Sequence, residues 1–354
     1  MILSARIQSR HAVRNMAFVF TGAAIACAAH AGTDVTVYGV ADLYGAIQKG
    51  DRTESKVDSG GLSGSRLGVG ASHDLGGSLK AIAKIEAGVS ADTGTSGQGG
   101  RTWGRQAYGG LSGDFGTLTL GRQYTPTFNA LDNEDPFETG AGSAISSGIV
   151  STIGGTRADD SIAYELPRLG AFTANVMYAA GESTTGANTN NSFFGGSARF
   201  TLGALGVSVT YGHVNRPTNE GVATNSLLLS GAYDFGSFSL SGGVHGVRNL
   251  TGQPDTSDDR TEAFAGIHVP VGPGTIWFGA GTGATKSVHG SRATQVSAAY
   301  LHALDKSTTP YAVVTSIHNG SIAAYTDDTA TGAGPSVSPG VTASAVQIGG
   351  RYRF

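Results

Sequence analysis

The chain has 354 residues, of which 14% are charged, 39% are hydrophobic and 56 are Gly. Soluble globular chains carry roughly 25% charged residues and about 7% Gly, so this length reads as one large barrel rather than two ordinary soluble domains. With 14 Phe and 12 Tyr and a formal charge of only −3, it is excluded from the disordered class, which needs high net charge and few aromatics.

Residues 1–31 read as an export leader. Arg6, Arg10 and Arg14 give a basic start, "MAFVFTGAAIACAA" an apolar middle, and "AHA" at 29–31 a small-residue cleavage site. Translation can begin at Met1 or at Met16. The single Cys, Cys27, lies in the leader, so a mature chain of 32–354 is expected to have no disulfide and no Cys metal ligand. Cleavage removes three Arg and no acids and leaves 20 basic against 26 acidic residues, which argues against a nucleic-acid partner. Beyond the leader no run approaches the roughly 18 apolar residues of a transmembrane helix.

From residue 34 onward the chain alternates with a period of two, the mark of half-buried strands. In 34–46 Val35, Val37, Ala41 and Leu43 fall on one face, and Thr36, Tyr38, Asp42 and Tyr44 on the other. In "LKAIAKIEAGV" Leu79 to Val89 alternate with Lys80, Lys84 and Glu86. "ALGVSVTYG" sets Leu205, Val207, Val209 and Tyr211 against Ser208 and Thr210. At the end, Val346, Ile348, Tyr352 and Phe354 oppose Gln347, Arg351 and Arg353.

Short turns such as "HDLGGS", "SGDFGT" and "YDFGS" alternate with long polar loops near 47–62, 91–100, 125–158, 182–192, 215–224, 248–258, 286–290 and 320–342. Between them lie sixteen expected strands: 34–46, 63–73, 78–90, 101–112, 117–124, 159–165, 171–181, 193–202, 204–214, 225–234, 237–247, 259–269, 274–285, 291–302, 308–319 and 343–354. An even strand number with tight turns at one end and long loops at the other predicts an all-β, 16-stranded antiparallel transmembrane β-barrel. Lipid covers the oily face of each strand, water wets the polar face, and closure leaves no unpaired edge in hydrocarbon.

The pieces "VTVYGVADLY", "SRLGVGASHDLGGSLKAIAKIEAG", "RQAYGGLSGDFGTLTLGRQYTP", "DDSIAYELPRLGAFTANVMYAAGE" and the terminal "GGRYRF" together resemble the trimeric general porins of Gram-negative bacteria, in the Neisseria and Burkholderia branch. The resemblance spans the mature chain. It implies an outer-membrane homotrimer in contact with lipid and lipopolysaccharide, and passive passage of small hydrophilic solutes and ions without a cofactor or metal. It also implies a third outer loop folded into the lumen. The matching loop, 125–158, supplies Asp132, Glu134, Asp135 and Glu138. The basic wall facing it would be Arg66, Lys84, Arg105, Arg122 and Arg157, with Glu86 among them. Parity groups Arg105 with Ala107 and Gly109 and sends Tyr108 to lipid, whereas Arg122 needs a bulge to reach the lumen. Phe354, with Tyr352 and Ile348, would carry the signal read by the barrel-assembly machinery. The acidic total points to cations and the arginine row of such relatives to anions, so ion preference stays open.

Two other classes compete. A substrate-specific channel for a sugar or organic acid would need an aromatic row in the lumen, and inward Tyr38 and Tyr44 are too few. A barrel enzyme or adhesin is the third; His213, His245 and His318 sit near outer strand ends, but "GLSGS" lacks the last Gly of a nucleophile elbow. "GAGTGATKS" lacks the Gly before Lys286 that a phosphate loop requires.

Overall fold

The structure is a computed structural model that describes residues 32–181, 191–215, 222–251 and 258–354. The expected leader at 1–31, with Cys27, and parts of three long loops lie outside the described residues. Antiparallel strands run in chain order: β1 (Thr33–Lys49), β2 (Thr53–Ser59), β3 (Arg66–Gly76), β4 (Leu79–Ser90), β5 (Thr95–Ser96), β6 (Gln106–Gly113), β7 (Gly116–Tyr124), β8 (Arg157–Glu165) and β9 (Phe172–Ala179). They continue as β10 (Phe193–Leu202), β11 (Leu205–Val214), β12 (Thr224–Asp234), β13 (Ser239–Arg248), β14 (Arg260–Val271), β15 (Gly274–Thr285), β16 (Ala293–His302), β17 (Thr308–Asn319) and β18 (Ala343–Arg353).

These segments make the expected sixteen barrel strands. β2 and β3 both pair with β1, at Leu43↔Ser59 and Val40↔Arg66, so they are two halves of one wall strand. β5 pairs only with the end of β4 and belongs to a loop. β18 closes onto β1 from Val40↔Arg353 to Lys49↔Ser344. A closed ring pairs its backbone donors and acceptors internally, which is what hydrocarbon demands.

The break in the second wall strand departs from the sequence expectation, which puts 53–59 in a loop. Its cause is Asp42, which lies buried on β1. Its carboxylate accepts the amides of Gly61 (3.1 Å), Leu62 (3.1 Å) and Ser63 (2.9 Å), and the Tyr311 hydroxyl (2.6 Å). Those bonds pull 60–65 out of the ladder and into the lumen.

Side-chain alternation follows the sequence. On β18, Ile348 and Phe354 are 67% and 59% exposed, while Gln347 is fully buried. On β11, Leu205, Val207, Val209 and Tyr211 point outward, and Ser208 and Thr210 inward. Tyr38, Asp42 and Tyr44 share the inward face of β1 as expected. Tyr108 is a correction. It pairs directly with Lys84, so it shares the inward face and does not reach lipid.

The apolar core sits inside the barrel, between the wall and the loop that joins β7 to β8. That loop opens with α2 (Pro126–Glu134), following α1 (Gly97–Gly100), a short turn in an earlier loop. Thr125 caps α2 by accepting the Phe128 amide at 3.2 Å, and Pro126 occupies its first turn. Pro136 stops it. Leu131, Ile149 and Val150 of the loop pack on Leu228, Phe264 and Ile317 of the wall, and Phe137 packs on Trp277, Tyr311 and Val313.

Candidate functional site

The loop at 125–156 is held against the wall from β9 to β17, with α2 on β9 to β13 and the residues after it on β14 to β17. Wall glycines make this close seat possible. A Cβ on Gly266 would stand 2.4 Å from Pro136 Cβ, and one on Gly279 2.8 Å from the Phe137 ring. The His268 ring stacks on Trp277 at 4.5 Å, and its Nε2 lies 2.6 Å from the Pro136 carbonyl.

The loop tip then faces β3, β4, β6 and β8 across a cavity of about 990 Å³. Arg66, Lys84, Glu86, Arg105 and Arg157 line it from the wall, and Asp132, Asp135 and Glu138 from the loop. Eight of the ten charged candidates thus surround one opening. Arg105 Nε binds Glu86 Oε1 at 2.8 Å, and its Nη2 donates to the Tyr124 hydroxyl at 2.6 Å. Arg157 Nη2 donates to the same hydroxyl at 2.8 Å, and its guanidinium lies 4.5 Å from the Tyr124 ring. The Tyr38 hydroxyl donates to Glu86 Oε2 at 2.7 Å, and Lys84 Nζ stands 5.3 Å from the Tyr38 ring. Arg105 reaches the opening for a reason other than its parity. It precedes β6, where the chain bends, and Tyr108 takes the inward strand position instead.

On the loop, the Thr139 hydroxyl donates to Asp132 Oδ1 at 2.6 Å, and the Thr139 amide to Asp135 Oδ2 at 2.7 Å. Burial pushes the Asp135 carboxyl up to about 6. Glu138 pairs with Arg351 of β18 at 3.2 Å.

Two expected members stand elsewhere. Glu134 turns away from the opening and pairs with Arg199 of β10, its side chain fully buried; the α2 helix fixes this, because Glu134 lies on the turn that packs against the wall. Arg122 binds Asp159 at 2.7 Å and the Gly104 carbonyl at 2.7 Å. A bulge between Gly121 and Gln123 is present, but it leaves Arg122 outside the cavity lining.

The sequence did not single out three contributors. Arg353 lines the cavity, and its place on the polar face of the last strand was the available signal. Tyr124 and Phe128, stacked at 4.9 Å, form its aromatic side. The last long loop, 320–342, also turns inward, so that Thr329 and Ala330 reach the same opening. It is strapped by Gln347 Nε2 to Asp327 Oδ2 (2.6 Å), Thr331 Oγ1 to the Ser59 carbonyl (2.7 Å) and Lys56 Nζ to the Ala333 carbonyl (2.5 Å). Its composition of Gly, Ser, Thr and Ala carries no periodic signal that would have placed it there.

A charged cavity of this size inside a closed barrel is the arrangement a transport path needs. The chain matches the Gram-negative porin family over residues 17–322. It is 30% identical to outer membrane porin protein 32 of Delftia acidovorans over 345 residues, covering 92% of this chain and 96% of the relative. It is 33% identical to major outer membrane protein P.IB of Neisseria gonorrhoeae over 159 residues, 41% of this chain and 43% of the relative. Among solved structures it resembles the anion-selective porin from Comamonas acidovorans, with a TM-score of 0.81 at 27% identity, covering 91% of this chain and all of that one. Barrel, in-folded loop and sequence agree: this chain belongs to the Gram-negative porin family, as an outer-membrane general diffusion porin of the branch typified by Neisseria and Burkholderia.

Proposed function

We propose that solutes cross at the opening between the loop tip and the basic wall, and that small hydrophilic anions cross more readily than cations. One observation carries this reading: among the described residues the Arg66, Lys84, Arg157 and Arg353 side chains of the lining have no carboxylate partner, whereas only Asp132 and Asp135 of the facing acids have no cation partner. Glu86 is paired with Arg105 and Glu138 with Arg351, while the neutral Thr139 hydroxyl and amide leave the Asp132 and Asp135 charges in place, two against four. The unpaired cations therefore set the sign of the potential in the gap, and opposed charges across a narrow, low-dielectric passage orient polar solutes. The solved relative whose description names it anion-selective supports the same sign.

Three further readings belong to it. The assembly is a homotrimer in lipid and lipopolysaccharide, supported by family membership. Residues 1–31 are a removed leader, supported by their basic, apolar and small-residue pattern. The chain is a channel and not an enzyme, supported by its membership of a porin family.

The test is the reversal potential of single channels in a salt gradient. A unit charge about 4 Å from a passing ion is worth about 1 kcal/mol in water, favouring an anion and disfavouring a cation alike, so Arg66→Ala or Lys84→Ala should lower the anion-to-cation permeability ratio by up to roughly thirty-fold. Arg122→Ala, outside the lining, should leave it unchanged. If Arg66→Ala leaves the potential where it was, this opening does not select ions.

A further inference from the structure

We propose that Arg260 and Glu262, neighbours on the inward face of β14, are positioning residues that anchor both in-folded loops and so set the width of the opening. The proposal rests on the reading of loop 125–156 as the constriction, and nothing in that reading requires a single anchor point.

The geometry is dense and dry. The Glu262 side chain is fully buried. Its Oε2 accepts the Ser151 amide at 2.8 Å, and its Oε1 accepts the Ser151 hydroxyl at 2.6 Å. His245 Nδ1, from the paired position on β13, lies 2.9 Å from Oε2. Arg260 Nε lies 3.0 Å from Oε1. One carboxylate thus holds the returning limb of the constriction loop by both its backbone and its side chain.

Arg260 extends the anchor. Its Nη2 donates to the Ile149 carbonyl at 2.9 Å, and its Nη1 donates to the Tyr325 hydroxyl at 2.5 Å. Tyr325 belongs to the second in-folded loop, and the guanidinium stands 5.6 Å from its ring. Gly283, the cross-strand partner of Glu262 on β15, keeps this space open: a Cβ there would stand 2.4 Å from the Ile149 carbonyl oxygen and 2.6 Å from Arg260 Nη2.

Such a cluster is a locating device rather than a source of net stability. A buried ion pair adds little over an apolar replacement of the same shape, but removing one partner strands the other without water. Apolar packing of Ile149 and Val150 holds the limb to the wall but tolerates sliding. Two charged hydrogen bonds to Ser151 and one to the Ile149 carbonyl do not, because they fix one register. Since the same guanidinium holds Tyr325, displacement of one loop is felt by the other.

The test compares Glu262→Ala, Glu262→Gln and Ser151→Ala in the full-length protein, folded in detergent and reconstituted in planar bilayers. Amide exchange is read on the segment 145–153, together with step conductance and the closing voltage. Glu262→Ala should raise exchange at Ile149–Ser151 by at least about ten-fold, the equivalent of one charged hydrogen bond, with a noisier step and a lower closing voltage. Glu262→Gln, which keeps an acceptor for the Ser151 amide, should recover most of the loss. Ser151→Ala removes a loop contact without touching the wall, so it reports on the same anchor even where Glu262→Ala fails to fold. Wild-type exchange and closing voltage in both Ser151→Ala and any folded Glu262→Ala protein would overturn the proposal. Exchange does not depend on ion permeation, so this failure is separate from an unchanged reversal potential in Arg66→Ala.

Discussion

At the scale of single residues, parity on a strand decides which way a side chain points, but not what it meets there. Arg351 and Arg353 share the polar face of β18, yet Arg351 is spent on Glu138 while Arg353 stays open to the lumen. Asp135 shows how burial then tunes charge. It is 5% exposed, and loss of water lifts its carboxyl from the ordinary range to about 6. The sign follows directly. Below about pH 6 the side chain takes up a proton, so the loop carries one negative charge fewer; above it the carboxylate is formed at a cost to the folded loop. The anion preference should therefore rise as pH falls from 7 to 5, where an ordinary carboxyl would still be ionised. Reversal potentials measured across that range check it. Asp135→Asn should show the low-pH selectivity throughout, and a pH step that survives the substitution assigns the titration to another group.

At the scale of elements, strands were legible and loops were not, for a physical reason. A strand in a barrel wall meets lipid on one side and water on the other over its whole length, so its sequence must alternate; β11 and β18 read that way without error. A loop inside the lumen meets a particular wall, and its sequence answers to that wall alone. The helix α2 inside the 125–158 loop was not read from the sequence, and nothing local says that Glu134 will find Arg199 or that Thr329 will reach the opening. Departures within strands have the same origin: β2 and β3 part because Asp42 binds three amides, and Arg105 enters the lumen because the chain bends before β6. The alternation makes a quantitative prediction. Leu229 lies at the middle of β12 and is 49% exposed on the lipid face. Leu229→Lys should cost about 2–4 kcal/mol, and Tyr233→Lys near the strand end only about 0–1 kcal/mol. Reversible unfolding from lipid vesicles measures both. Equal costs would mean that the bilayer midplane does not cross β12 near Leu229.

At the scale of the whole molecule, everything depends on the seam where the last strand meets the first. The β1–β18 ladder is extended past Arg353 by a reciprocal pair, Gly39 amide to Phe354 carbonyl at 2.9 Å and Phe354 amide to Gly39 carbonyl at 3.1 Å. The ring of Phe354 fills the space over Gly39, where a Cβ would stand 2.2 Å from its Cζ, and stacks on Tyr352 at 5.9 Å. The terminal aromatic thus lies outward, with Ile348 and Tyr352 on the same face, and packs at the final register of closure; we propose that an assembly factor also reads it there. These roles separate by experiment. Gly39→Val should displace the ring and weaken closure while leaving the terminal sequence intact. Phe354→Ala frees the Gly39 surface and removes the aromatic. If the terminus is chiefly a signal, Phe354→Ala should lower the yield of folded barrel in cells far more than in spontaneous folding into lipid vesicles, and Gly39→Val should lower both alike. Equal losses for Phe354→Ala in cells and vesicles would leave closure of the seam as its whole function.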